Sequence, residues 1–238
     1  MAATDVLRAL HHGPPMLVLP NAWDVASARV LAGAPGVRAL ATTSGGVARS
    51  LGWEDGEQTP VDEMLRVVER IAAAVAIPVT ADLEAGYGDP PRTAAGALDA
   101  GAAGMNLEDS RGGALLSVGE QAEIVRAVRA AAPPLVLNAR VDVFLKGTGD
   151  VDEAVERGNA YLDAGADCVY PIAVRDPEAI RALVDRIEGP VNILVRPDTP
   201  LEWLERVGVA RVTYGSGLAE AALAEAERIV REALGPRR

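Results

Sequence analysis

The chain has 238 residues, 34 acidic and 23 basic, for a formal net charge of −11. Half of it is apolar (49 %), yet it holds one Phe, three Trp and four Tyr, so its core must be built from Ala, Val, Leu and Ile. An acidic chain without a basic run lacks the footprint of a nucleic-acid binder, and its most apolar stretch, residues 71–79, is far below the roughly 20 residues that span a bilayer.

In chain order, short apolar runs predict strands at 16–20, 39–43, 78–83, 104–108, 135–141, 168–171, 191–195 and 211–214. Amphipathic patterns between them predict helices at 23–31, 60–75, 91–100, 118–131, 151–164, 177–187, 201–207 and 218–234. Pro60 and Pro91 sit where a first helical turn tolerates a missing N–H. Gly101 and Gly165 follow helical runs where a left-handed C′ residue is expected. Eight strand–helix units of about 30 residues each, with no linker or low-complexity stretch, predict one domain over residues 1–238. The expected fold class is α/β, a single (β/α)8 TIM barrel of parallel strands; a doubly wound open sheet is the alternative. The N-terminus carries no apolar signal segment. The lone Cys168 forms no intrachain disulfide, which fits a reducing, cytoplasmic setting.

In a barrel, chemistry collects at the C-terminal ends of the strands. The third strand ends in TADLEAGYG (80–88), with Asp82 and Glu84 two apart and expected on one face. The fourth ends in NLED (106–109), adding Glu108 or Asp109. Three carboxylates from neighbouring strands suit a hard divalent cation, which takes oxygen ligands. The fifth ends in NARVD (138–142), where Arg140 is the only basic residue in the interior of a predicted strand, either neutralising Glu108 or gripping a substrate carboxylate. After the second strand, TTSGG (42–46) lets backbone N–H groups approach an anion. Asn192, on the seventh strand, is a further substrate-binding candidate, and GSG (215–217) has the look of a phosphate cradle.

These segments, with LPNAWD (19–24) on the first strand, resemble the isocitrate lyase/phosphoenolpyruvate mutase superfamily across essentially the whole chain. The resemblance implies a barrel enzyme that makes or breaks C–C or P–C bonds in small α-keto or α-hydroxy carboxylates. The intermediate is enolpyruvate-like and held on Mg²⁺, with Mn²⁺ as a substitute. By matching motif, Asp82 is the inner metal ligand, while Glu84 and Glu108 hold metal-bound waters. Ser44, Gly45 and Gly46 bind the substrate carboxylate, Arg140 holds charge on the substrate, and Asp55 reaches it from the loop after the second strand. Arg140, Asp55 and Glu108 are thus the catalytic candidates. The resemblance also implies a homo-oligomer, a tetramer or dimer, with the helix at 218–234 exchanged between subunits.

The departures bear on the reaction. The lyases' Cys-bearing loop after the fourth strand reads SRGGALLSVGE (110–120) here, without Cys, Lys or His, and the mutase-type loop is missing as well. The sixth strand ends in VYPIA (169–173), where lyases place an acid and mutases a histidine. Tyr170, Ser110 and Arg111 are the remaining candidates for moving a proton. Lyase or decarboxylase chemistry is the favoured expectation. P–C chemistry and a non-catalytic ligand-binding homologue are the alternatives. A Schiff-base aldolase is disfavoured, since Lys146, the single lysine, lies in a loop.

Overall fold

A computed structural model describes residues 1–196 and 199–235. Eight parallel strands form its centre: β1 (Leu17–Leu19, continuing as Asn21–Ala22), β2 (Leu40–Thr42), β3 (Val79–Asp82), β4 (Gly104–Glu108), β5 (Val136–Val141), β6 (Cys168–Pro171), β7 (Asn192–Leu194) and β8 (Arg211–Thr213). The register runs round the ring. Asn21 pairs with Ala41, Leu40 with Val79, Asp82 with Asn106, Asn106 with Asn138 and Asn138 with Cys168. A single parallel bridge, Val169 to Val191, joins β6 to the approach of β7, and β7 pairs with β8. The ring closes through the first strand, whose lower half pairs Leu17 with Arg211 and whose upper half pairs with β2. Pro20 separates the halves because it has no N–H to give to the ladder; its carbonyl still accepts from Ala41 N–H at 3.0 Å.

The helices are α1 (Ala3–Leu10), α2 (Val25–Ala32), α3 (Ser44–Leu51), α4 (Val61–Ala74), α5 (Pro90–Asp99), α6 (Val118–Ala131), α7 (Val143–Lys146), α8 (Val151–Asp163), α9 (Pro177–Arg186), α10 (Leu201–Arg206) and α11 (Gly217–Leu234). Side-chain caps start several of them. Asp24 with Ser27 and Ser117 with Glu120 form capping boxes, and Asp89, Asp150 and Asp176 each accept an N3 amide. Gly86 (φ +92°) in the turn after β3 has to be glycine, since a Cβ there would sit 2.6 Å from Pro90, the first residue of α5.

Most of the core lies between strands and helices, built from residues such as Val47, Met64, Val68, Leu107, Val125 and Leu183. A second cluster fills the N-terminal mouth, where Leu7 of α1 packs on Leu17, Leu19, Ala39, Ala41, Ala103 and Val136. Arg8 ties this plug down through Asp167 at 2.8 Å. The sequence pattern anticipates neither α1 nor α3, nor the small hairpin Ser110–Arg111/Ala114–Leu115. The α1 segment, ATDVLRAL, is eight residues long and precedes the first strand, outside the repeat of strand and helix, and Gly45 and Gly46 read as loop although they form the first turn of α3.

Candidate active site

Asp82, the last residue of β3, faces the N-terminus of α3. Its Oδ2 accepts from Ser44 N–H and Ser44 Oγ, both at 3.0 Å, and its Oδ1 accepts from Asn106 Nδ2 at 3.3 Å. Its own N–H donates to Thr42 Oγ1 at 2.9 Å, which fixes the end of the strand. A carboxylate at a helix N-terminus gains from free amides and the helix dipole together. Thr43 caps the helix and shares a hydroxyl hydrogen bond of 2.8 Å with Ser216, the residue before α11. A Cβ on Gly45 would stand 2.9 Å from Ser216 Oγ and 3.0 Å from Asp55 Oδ2. The missing side chain therefore lets Asp55 and Ser216 come down on the helix end.

Glu84 departs from the simple strand expectation. β3 ends at Asp82, and Glu84 takes a left-handed backbone (φ +51°), so alternation no longer sets its direction. Its carboxyl is buried and accepts from Tyr87 OH (2.9 Å) and Glu57 N–H (2.8 Å). Burial, then the charge of Asp55, pushes it up to about 7. Glu108, at the end of β4, is also pushed up, by burial first and then by Asp142, Asp82 and Glu84, against the pull of Arg140. Among the described residues, no group of three or more His, Cys, Asp or Glu forms a direct metal cage. The three acids gather in one region, but only Asp82 opens directly onto the cavity.

Arg140 is committed rather than free. Its Nε and Nη2 donate to Asp142 at 2.6 and 3.0 Å, and Nη2 also pairs with Glu108. Of its two expected roles, these contacts supply the neutralising one, and Arg140 also lines the cavity where the other would be exercised. Asp142 is fully buried and also accepts from Ser110 Oγ, and its N–H donates to Asp109 Oδ1 at 2.9 Å. Asp109 in turn meets Tyr161 OH (2.8 Å) and Arg157 (3.2 Å), so it belongs to a buried support network behind the site.

A cavity of about 720 Å³ opens at this end of the barrel, lined among others by Ser44, Asp55, Asp82, Asn106, Arg140 and Tyr170. Gly215, Ser216 and Gly217 line the same cavity, and of the three proton-moving candidates only Tyr170 does. Arg111 is exposed on the hairpin, and Ser110 is tied to Asp142. Gly45 and Gly46 stand behind Ser44 in the first turn of α3. Asn192 is corrected in position: it is fully buried inside the barrel, with Oδ1 accepting from Thr213 Oγ1 at 3.3 Å, below the cavity floor. Arg211, the first residue of β8 and no candidate on the strand pattern, is fully buried. A wider cavity of about 820 Å³ lies at the N-terminal face beside His11, His12 and Asp167, the end of a barrel that conventionally carries stability rather than chemistry.

The sequence profile of the phosphoenolpyruvate phosphomutase family matches residues 7–234. The 2-methylisocitrate lyase of Escherichia coli is 31 % identical over 201 residues, covering 77 % of this chain and 67 % of the enzyme. A Burkholderia cenocepacia crystal structure, provisionally assigned as a phosphonomutase, superposes with a TM-score of 0.91 at 39 % identity, covering 97 % of this chain and 98 % of that one. Oxaloacetate acetylhydrolase in complex with its product oxalate gives 0.86 at 28 % identity, over 97 % and 86 % of the two chains. The chain belongs to the isocitrate lyase/phosphoenolpyruvate mutase superfamily.

Proposed function

We propose that this enzyme cleaves a C–C bond in a small α-keto or α-hydroxy carboxylate bound at the Asp82 cavity, with Mg²⁺ (or Mn²⁺) as its cofactor. The observation that carries the reading is Asp82 itself, an acid held by Ser44 at a helix N-terminus, open to the cavity and backed by two acids, Glu84 and Glu108, that burial disfavours as anions. This donor set fits Mg²⁺, which keeps several waters and needs few protein oxygens. Asp82 would be the direct ligand, with Glu84 and Glu108 reaching metal-bound water. When bound, the cation supplies Lewis-acid stabilisation of charge developing on an enolate oxygen.

This chain's own groups divide the remaining work. On this reading Ser44, which lines the cavity with Asp55, turns its hydroxyl from Asp82 to the substrate carboxylate with the Gly45 amide beside it, while the Gly46 amide is taken by the Thr43 cap. Arg140 holds Glu108 and Asp142 in place and, because it lines the cavity, is also proposed to hold charge on the substrate. Tyr170 lines the cavity with its side chain against Thr213; burial pushes its phenol up to about 12, so it carries its proton at neutral pH, and on this reading it gives that proton to a carbanion. We assign it the role that the lyases give to a cysteine. In a panel of 2-hydroxy and 2-keto dicarboxylates, one member should be cleaved, and Tyr170→Phe should slow it by ~10²-fold or more while oxalate binding stays intact. Turnover unchanged in Tyr170→Phe contradicts the assignment, and ³¹P-detected turnover of phosphonopyruvate would move the reading to P–C chemistry.

The hairpin at Ser110–Leu115 favours a second reading, because its side chains supply no acid or base to the cavity. On that reading the site only binds its ligand, and oxalate binding without any turnover across the panel would select it. We further propose a homo-oligomer, a dimer or tetramer, assembled through α11, whose Leu223, Ile229, Val230 and Leu234 are exposed.

A further inference from the structure

Arg211 occupies the barrel interior with its side chain fully buried, beside Leu17 of β1 and Asn192 of β7 in the register. Its guanidinium makes one hydrogen bond, from Nη2 to Asn106 Oδ1 at 3.4 Å. Nε and Nη1 have no partner among the described residues. The buried Arg157 and the partly buried Arg140 each touch two carboxylates. Arg211 touches none among the described residues. A buried cation without a contacting counter-ion is destabilising, and an apolar side chain of similar volume is commonly better tolerated. Arg211 therefore contributes little that would explain it as packing.

What it faces is the site. Burial works against its charge, and the carboxylate that favours it is Asp82, one amide away; a guanidinium keeps its proton in a protein interior all the same. Asn106 Oδ1 accepts from both Asn138 Nδ2 (2.7 Å) and Arg211, so the amide must turn its Nδ2 toward Asp82 Oδ1 at 3.3 Å. Asn106 and Asp82 line the cavity, and Arg211 lies beneath that floor.

We propose that Arg211 is a buried positioning residue for the Asp82 end of the cavity: it locks the Asn106 amide against Asp82 and sets a fixed positive charge below it, so that the cavity takes a cation together with an anionic ligand rather than a cation alone. The inference rests on the proposed cation at Asp82. Its physical content is a sign rule. The charge of Arg211 weakens binding of a bare divalent cation and strengthens binding of a carboxylate, through an interior where a unit charge acts with an effective dielectric nearer about 20 than 80.

The test uses the full chain and Mn²⁺. Electron paramagnetic resonance of the free ion gives Mn²⁺ affinity alone, and calorimetry gives oxalate affinity on the Mn²⁺-loaded protein. Arg211→Met should bind Mn²⁺ about tenfold tighter and oxalate about tenfold weaker, with a thermal midpoint no lower than the parent's. Arg211→Lys, which keeps the charge, should stay within about threefold of the parent in both. Arg211→Gln, which keeps a donor for Asn106 but not the charge, should repeat the opposite shifts and serves if the Met variant fails to fold. A variant that weakens both ligands, as plain damage to the site does, overturns the proposal. So does one that moves neither, or a Lys variant that behaves like Met. Absence of Mn²⁺ binding to the parent overturns the functional reading and this inference together, whereas same-sign shifts in the variants overturn this inference alone.

Discussion

Glu84 is held at a left-handed backbone and buried against Tyr87 and the amide of Glu57, a conformation that costs of order 1 kcal/mol or more for a non-glycine residue. Its raised carboxyl has a thermodynamic consequence. The folded state holds this proton more tightly than the unfolded chain does, moving from 4.5 to about 7. Its contribution to stability is therefore fully present below about 4.5 and is lost as pH rises toward 7. In thermal melts of the metal-free protein from pH 4.5 to 7, Glu84→Gln should flatten the decline in the midpoint. An identical decline in parent and variant contradicts the assigned shift. At this scale the sequence is informative where a polar residue closes an apolar strand, as with Asp82, Glu108 and Arg140. It is silent on commitment: nothing in NARVD says that Arg140 spends its donors on Asp142 and Glu108. Nor does a strand's first residue, Arg211, announce that it points inward, because a three-residue strand is too short for alternation to be read.

At the scale of elements, periodicity locates the repeating helices well. The helix predicted at 118–131 is α6 to the residue, and those at 151–164 and 177–187 end one residue early in the structure. Strands 104–108 and 168–171 coincide with β4 and β6. The missed α1, α3 and α7 are eight residues or fewer and their face is defined by what they pack against, whereas α2 and α10, as short, lie where the repeat of strand and helix calls for a helix. Leu7 is buried only because the barrel mouth is there to receive it. α11 presents the reverse case. Only Ala219 along it is buried, while Leu223, Val230 and Leu234, spaced seven and then four apart, follow one helical face and are exposed. That face should be covered by a second copy. Light scattering should give a dimer or tetramer for the parent and a monomer for a variant carrying Leu223→Glu and Val230→Glu. A monomeric parent, or an assembly indifferent to both changes, contradicts the proposed interface.

For the whole molecule, the net charge of −11 matters less than where a few charges sit. The barrel places Asp82, Glu84 and Glu108 at the C-terminal end, Arg140 between Glu108 and Asp142, and Arg211 beneath the floor. Each buried acid is offset by a named arginine, a hydroxyl or an amide, and the cavity they surround is where charge is left to be completed by a ligand. The fold was legible because eight apolar runs recur at a regular spacing that few architectures satisfy. The site was legible in its acids but not in its depth, since Asn192 and Arg211 lie a layer lower than strand-end reasoning places them. Isothermal calorimetry with oxalate, an enolate mimic, separates a metal-assisted site from any other. Oxalate should bind in the presence of Mg²⁺ and lose its binding on chelation and in Asp82→Ala. Oxalate binding indifferent to Mg²⁺ or to Asp82→Ala would contradict a metal-assisted site.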